Sequence, residues 1–262
     1  MVNVLLENRG EFKMSFLMDH MTWMEFNEKK EESVVILPIG STEQHGPHLP
    51  LSVDTVIAKE FSIALAKQIN GMVAPTLSYG YKSQPLSGGG PLFPGTIDLN
   101  GETLIKLVED ILCELVKDGV KKILVLNAHF ENEAFILEAI DLVSNKYKDK
   151  VTIVETNWWD PMPEDVIDKV FDEVKFPGWA FEHAAITETS LMLYFAEELV
   201  HMDRMVDTKG ATPCAYHKYP IEKSTIPESG VLATARTSTA EKGKIIVDSV
   251  LKELVSIVNE AF

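Results

Sequence analysis

The sequence predicts an α/β fold in which helices cover a largely parallel sheet. Two observations predict it. Four short apolar runs rich in β-branched residues, 34–39, 72–77, 123–126 and 151–155, lack strict polar alternation, which marks strands buried on both faces as parallel sheets bury them. Longer stretches with helical spacing lie between them, and strand alternating with helix is the rhythm of an α/β domain.

The elements follow in order. Residues 55–69 set Ile57, Phe61, Ala64 and Leu65 on one side of a helix. Residues 102–116 do the same with Leu104, Leu107, Val108, Ile111 and Leu115, and here Cys113 reads as a small buried hydrophobe. Residues 132–143 do so with Ala134, Ile136, Leu137 and Ile140 before a polar loop at 144–150. A helical segment spans 187–195, and a long C-terminal helix, 240–262, carries Ile245, Ile246, Val250, Leu251, Leu254 and Val258 at core spacing. Two irregular stretches remain, 79–101 with six glycines and three prolines, and 203–230; long loops in a compact domain are usually functional.

Composition excludes several classes. The chain has 262 residues, 45% of them hydrophobic and 24% charged, which argues against disorder. A net charge of -16 repels phosphate backbones and anionic lipid, so neither nucleic acid nor a membrane is expected as a partner. No run reaches the ~18 apolar residues of a membrane helix. Cys113 and Cys214 cannot form a disulfide framework. Glu7, Arg9 and Glu11 break any signal core, and the cytoplasm is the expected location.

Function is written after the strands. The first is followed by Gly40-Ser41-Thr42-Glu43-Gln44-His45-Gly46-Pro47-His48 and then Asp54, and the third by Asn127-Ala128-His129-Phe130-Glu131-Asn132. The second leads into Tyr79 and the glycine loop, and the fourth into Trp158-Trp159-Asp160. In a parallel sheet these carboxyl ends share one edge, where open α/β sheets place ligands. Glu43 with His45, and His129 with Glu131, stand at i and i+2, so each pair can face one cavity. With Asp54 they make two imidazoles and three carboxylates, a donor set that suits two divalent ions such as zinc or manganese. Either pair alone could equally be solvated loop residues. His48, next to Pro47, reads as a neutral residue behind the ligands or at the surface. The glycines of Ser87-Gly88-Gly89-Gly90 match no nucleotide motif and suit close backbone approach to a small ligand or a neighbouring chain. Glu182-His183 at a helix start could be an acid/base pair or a capping cluster.

These motifs, together with Tyr79-Gly80-Tyr81-Lys82-Ser83-Gln84, Phe93-Pro94-Gly95-Thr96, Trp159-Asp160 and Gly178-Trp179, resemble the creatininase family. The resemblance runs from about Met21-Thr22-Trp23 to the C-terminal helix, leaving residues 1–20 as an extension before a single domain, 21–262. It implies a three-layer α/β/α fold and a homohexamer. It also implies two ions, one on Glu43, Asp54 and His129, the other on His45, Asp54 and Glu131, with Asp54 bridging. Ser87, Phe130, Trp179, Ala180 and His183 fall at substrate-contact positions, and Trp159 at an aromatic gate. His183 and Glu131 are the expected catalytic residues, with Glu182 orienting His183.

The implied activity is hydrolysis of a small cyclic amide, creatinine foremost, by a metal-bound hydroxide. Two positions depart from the creatininase pattern, Phe130 for Tyr and Ala180 for Asp. Side-chain contacts would be lost there and backbone contacts kept. Other members act on a keto-inositol ring, a formamide-bearing pyrimidine or a peptide cofactor precursor. A non-catalytic metal-binding assembly protein is the competing class. Trp158 is expected in the core, since neighbours in an extended segment point oppositely.

Overall fold

The computed structural model describes residues 15–84, 89–208, 216–223 and 226–262. Strands β1 (Val35–Ile39), β2 (Met72–Val73), β3 (Lys122–Asn127) and β4 (Thr152–Asn157) form one sheet in the order β2-β1-β3-β4, every pair parallel. β1 and β3 are central, and Val35, Ile36, Leu37 and Ile39 are as buried as Ile123 to Leu126. That burial on both faces is why neither strand alternates with polar residues.

Successive side chains point to opposite faces, and two cores result. Ile36, Leu124 and Leu126 pack with α2 (Val53–Ile69), α5 (Glu164–Val170), α6 (Ile186–Phe195) and α7 (Ala240–Ala261). Val35, Leu37, Ile123 and Val125 pack with α3 (Gly101–Lys117) and α4 (Glu133–Tyr147), and Phe26 of α1 (Trp23–Lys29) joins them. Helices on both faces of the sheet make the three-layer α/β/α arrangement. The chain passes from β1 through α2 to β2, then crosses by α3 on the other face to β3. The direction of winding therefore reverses between β1 and β3, and the crevice beyond their carboxyl ends is the topological switch point.

Two boundaries differ from expectation. β2 stops at Val73 rather than running to residue 77, because Pro38 of β1, whose carbonyl faces β2, has no N–H to return to the ladder. Pairing resumes as an isolated bridge between Leu77 and Ile39, one residue out of the β1–β2 register. The polar stretch 144–150 is not a loop at its start, since α4 continues to Tyr147 before a single 3-10 turn. Solvated polar residues there extend a helix whose other face is anchored by Val143 and Tyr147 in the second core. On the outer edge of β2, Val73 N–H donates to Phe16 O at 2.7 Å and Leu17 bridges Val73.

Candidate active site

The site is assembled by the first turns after β1 and β3. Gly40 ends β1 so close to α2 that a Cβ there would lie 2.6 Å from Asp54 C and Thr55 N. Only glycine allows this approach, and it brings Asp54, in the first turn of α2, beneath the Glu43–His45 loop. The loop is tied back by the Glu43 N–H bond to Leu51 O. After β3, Asn127 Nδ2 donates to Asn157 Oδ1 and to His129 O, and Asn132 Nδ2 donates to Gly40 O and Asn127 Oδ1. These buried amides lock the ends of β1, β3 and β4 together, and His129 rides on them.

Glu43, His45, Asp54 and His129 are all buried and converge. His45 Nε2 lies 3.1 Å from Asp54 Oδ1, and His129 Nδ1 lies 3.1 Å from Asp54 Oδ2 and 3.3 Å from Glu43 Oε2. Asp54 thus faces one imidazole with each oxygen. Two clusters share it: Glu43, Asp54 and His129 form one, and His45, Asp54 and Glu188 the other.

Glu188 is the residue that sequence reasoning missed. Its Oε2 stands 3.6 Å from His45 Nε2 and accepts Ala184 N–H at 2.6 Å. Glu131, expected as the second ligand beside His45, belongs to neither cluster. It sits beyond His129, with Oε2 at 3.4 Å from His129 Nε2 and Oε1 accepting Gln84 N–H. The reason is geometric: His129 turns its two nitrogens in opposite directions, Nδ1 to Asp54 and Nε2 to Glu131.

The donor set fits divalent cations. His45 Nδ1–H donates to Glu43 O at 3.1 Å, and His129 Nε2–H donates to Tyr81 O at 2.8 Å. Each backbone carbonyl fixes a tautomer and leaves the other nitrogen facing carboxylates, the arrangement that orients metal-ligating histidines. Such nitrogens need a positive charge opposite them, a second proton or a cation. Burial opposes charge on both rings, yet Asp54 and Glu188 hold His45 well above the usual histidine range, and Asp54, Glu43 and Glu131 push His129 up to about 10. Burial raises Glu43 to about 8. Asp54 Oδ2 is buried and makes no hydrogen bond among the described residues, with His129 Nδ1 3.1 Å away, so a cation held between the two would satisfy both. Imidazole and carboxylate donors suit zinc or manganese.

His183 lies over this pair of clusters, its ring centroid 4.3 Å from that of His45. Gln44 fixes it. The Gln44 Oε1 accepts Gly46 N–H at 2.9 Å, its Nε2 donates to Gly230 O at 3.0 Å, and the same nitrogen stands 2.9 Å from His183 Nε2. An amide nitrogen only donates, so the resting His183 carries its proton on Nδ1. Burial, then His45, holds the ring well below its ordinary pKa, and it is neutral. Glu182 does not orient it. Its carboxylate accepts Ile186 N–H and Thr187 N–H at 3.0 and 3.1 Å and so satisfies the first turn of α6, the capping role. Burial pushes Glu182 up to about 8. His48 is fully buried rather than at the surface, its Nε2 3.0 Å from Thr189 Oγ1, and burial and His45 lower it to about 4.

Aromatic side chains roof the cavity. Trp159 stacks on Phe130 at 6.0 Å and leans on Trp179 at 6.4 Å. Trp158 stacks on Phe61 in the core, as expected, but also reaches the cavity wall beside Trp159. Both indoles can do so because the pair forms a turn beyond β4 and not an extended segment. Ala180 and His183 complete the lining of a cavity of about 40 Å³, room enough for water. Ser87 lies outside the described residues.

The family profile described as Creatininase, creatinine amidohydrolase, matches residues 19–258. The chain belongs to the creatininase family. Creatinine amidohydrolase from Pseudomonas putida is 36% identical over 255 residues, covering 95% of this chain and 98% of that protein. A 3-dehydro-scyllo-inosose hydrolase from Thermotoga maritima is 28% identical, covering 92% and 81%. A creatininase variant of the Zn–Zn type superposes with a TM-score of 0.92 at 36% identity, over 95% of this chain and 99% of that one. A manganese creatininase does so with the same TM-score, identity and coverage. The named activities of these creatininase relatives are hydrolytic, and this chain is a hydrolase of the same family. No helix among the described residues is long and apolar enough to cross a membrane.

Proposed function

We propose that the protein is a metal-dependent cyclic amidohydrolase that opens creatinine to creatine. The observation that carries the proposal is the pair of imidazole–carboxylate clusters sharing Asp54 under an aromatic roof, with His183 at the edge. Glu43, Asp54 and His129 would hold one divalent ion, and His45, Asp54 and Glu188 the other. Zinc or manganese bound there supplies Lewis acidity, polarising a carbonyl oxygen and bringing the pKa of a water toward ~7.

The chain's own residues do the rest. Phe130, Trp159 and Trp179 offer aromatic faces to a flat conjugated ring and keep bulk water out. Trp159, part of that roof, would serve as the gate that admits the ring. Glu131 faces the cavity beside His129 and orients the attacking water through its carboxylate. The water oxygen bonds to the ring carbonyl carbon, the C–N bond breaks, and one water proton reaches the departing nitrogen. His183 carries that proton. Its second proton enters at Nε2, the nitrogen Gln44 now fills, so the Gln44 contact opens as His183 loads.

Phe130 and Ala180 line the cavity where creatininases carry other side chains, and the inosose hydrolase is a relative. A keto-inositol ring is therefore the second reading. We further propose a closed homo-oligomer of six chains in the cytoplasm. The deciding assay gives metal-loaded protein creatinine and measures creatine. Turnover that a chelator abolishes and metal restores supports the proposal; fully loaded protein that makes no creatine sinks it.

A further inference from the structure

Segment 80–84 follows the bridge at Leu77 and touches three site residues in five positions. Tyr81 O accepts His129 Nε2–H, the Ser83 hydroxyl donates to Glu43 Oε1, and Gln84 N–H donates to Glu131 Oε1. The Ser83 contact is the consequential one. Ser83 is 1% exposed, so its hydroxyl has no competing water. It takes one oxygen of Glu43, while the other, Oε2, lies 3.3 Å from His129 Nδ1 inside the cluster with Asp54. The two oxygens of this carboxylate are therefore inequivalent. Gly90 closes the box from the far end of the glycine loop: a Cβ there would lie 2.6 Å from Glu43 Oε1 and 2.9 Å from Ser83 Oγ. The close backbone approach of Gly90 is thus to the chain's own Glu43, where a small ligand or a neighbouring chain was expected, and Gly88 lies outside the described residues.

We infer that Ser83 is a positioning residue that holds Glu43 as a one-oxygen ligand and so sets the cation affinity of the Glu43–Asp54–His129 cluster alone. The inference rests on the metal-centre reading above. A carboxylate free to rotate could offer either oxygen or both; tied at Oε1, it offers only Oε2, in a fixed direction. Partners of this kind typically change metal affinity by about 10–100-fold. His45 and Glu188 are held by Glu43 O, Asp54, Ala184 N–H and each other, not by Ser83, so the other cluster should not feel its loss.

The test uses full-length protein stripped of metal and titrated with zinc against a competing chelator. Glu43→Gln identifies which binding step belongs to its cluster. Ser83→Ala should weaken that step about 10–100-fold and leave the other within about twofold, and Ser83→Thr, which keeps the hydroxyl, should restore it. A melt in excess chelator reads the fold separately: Ser83→Ala should melt like wild type without metal and gain less on zinc addition. Should Ser83→Ala not fold, Ser83→Cys keeps the size with a poorer donor and should weaken the same step. Unchanged affinity at both steps, or equal weakening of both, overturns the inference. Wild-type protein that binds no zinc would instead remove the metal centre, and this inference with it.

Discussion

Glu188→Gln separates the two ligand sets most sharply. The substitution keeps size and an oxygen that can accept Ala184 N–H, the 2.6 Å bond that seats the side chain beside α6. It removes one negative charge 3.6 Å from His45 Nε2. Unit charges at that range interact by about 4–5 kcal/mol at an effective dielectric near ~20. The amide oxygen retains roughly half of this as a dipole, which leaves a loss of about 2–3 kcal/mol, or roughly 30–150-fold in affinity. The loss should fall on one ion, because Glu43 and His129 are untouched. Metal content after dialysis against a weak chelator, together with zinc titration calorimetry, reads the outcome. Glu131→Gln is the paired control and should keep both ions while losing turnover. If Glu131→Gln loses an ion and Glu188→Gln keeps two, the second cluster is wrongly drawn.

Three further outcomes are expected. His183→Ala should retain both ions yet lose about 10²–10⁴ in kcat, since His183 moves protons and stands outside the two clusters that share Asp54; a variant that loses metal would make His183 a ligand. Trp159→Ala should lower turnover of small cyclic amides far more than it lowers Tm, read by kinetics beside a melt; intact activity with a much lower Tm would make Trp159 a core residue and place the gate elsewhere. Glu155 is raised to about 8 by burial, then by Glu133 and Asp160. The folded protein therefore holds a proton that the unfolded chain releases near ~4.3, and stability from this group is present below that pH and lost as pH rises through 8. Glu155→Gln should flatten that decline in melts between pH 5 and 9, and an unchanged slope would refute the assignment.

How much was legible follows from how each element is stabilised. β1, β3 and β4 lie within two residues of the expected runs because their burial on both faces is written as unbroken apolar sequence. α1 and α5 left no such mark. Each spans only 7 residues; α1 buries none of them, with Trp23 75% exposed, and α5 buries only Val166 and Val170. Two buried positions make no period. The register slip after Val73 arises where that segment meets Pro38 of β1, a tertiary event that the apolar run 72–77 concealed.

The site divides the same way. Glu43, His45, Asp54 and His129 were visible because each lies within one turn or loop of a strand end, where fold and chemistry coincide. Glu188 comes from α6, far along the chain, and reaches the cluster only through the packing of that helix. A signal was nevertheless present. From Ala184 to Met192 every residue but Glu188 is uncharged, and the structure buries the whole stretch. A single carboxylate inside such a run cannot stay solvated, and a buried charge requires a partner of opposite sign or a cation. No Lys or Arg occurs in that run to serve as the partner, so the partner had to come from elsewhere in the fold. Glu182 carries the converse lesson: adjacency to His183 suggested a catalytic pair, but its oxygens go to the open N–H groups of α6. Four unpaired N–H groups at a helix start outbid a neighbouring ring, because leaving them buried and unmet costs about 1–3 kcal/mol each. That cap fixes the first turn from which Glu188 reaches His45, so Glu182 serves the site through the helix and not through the histidine beside it.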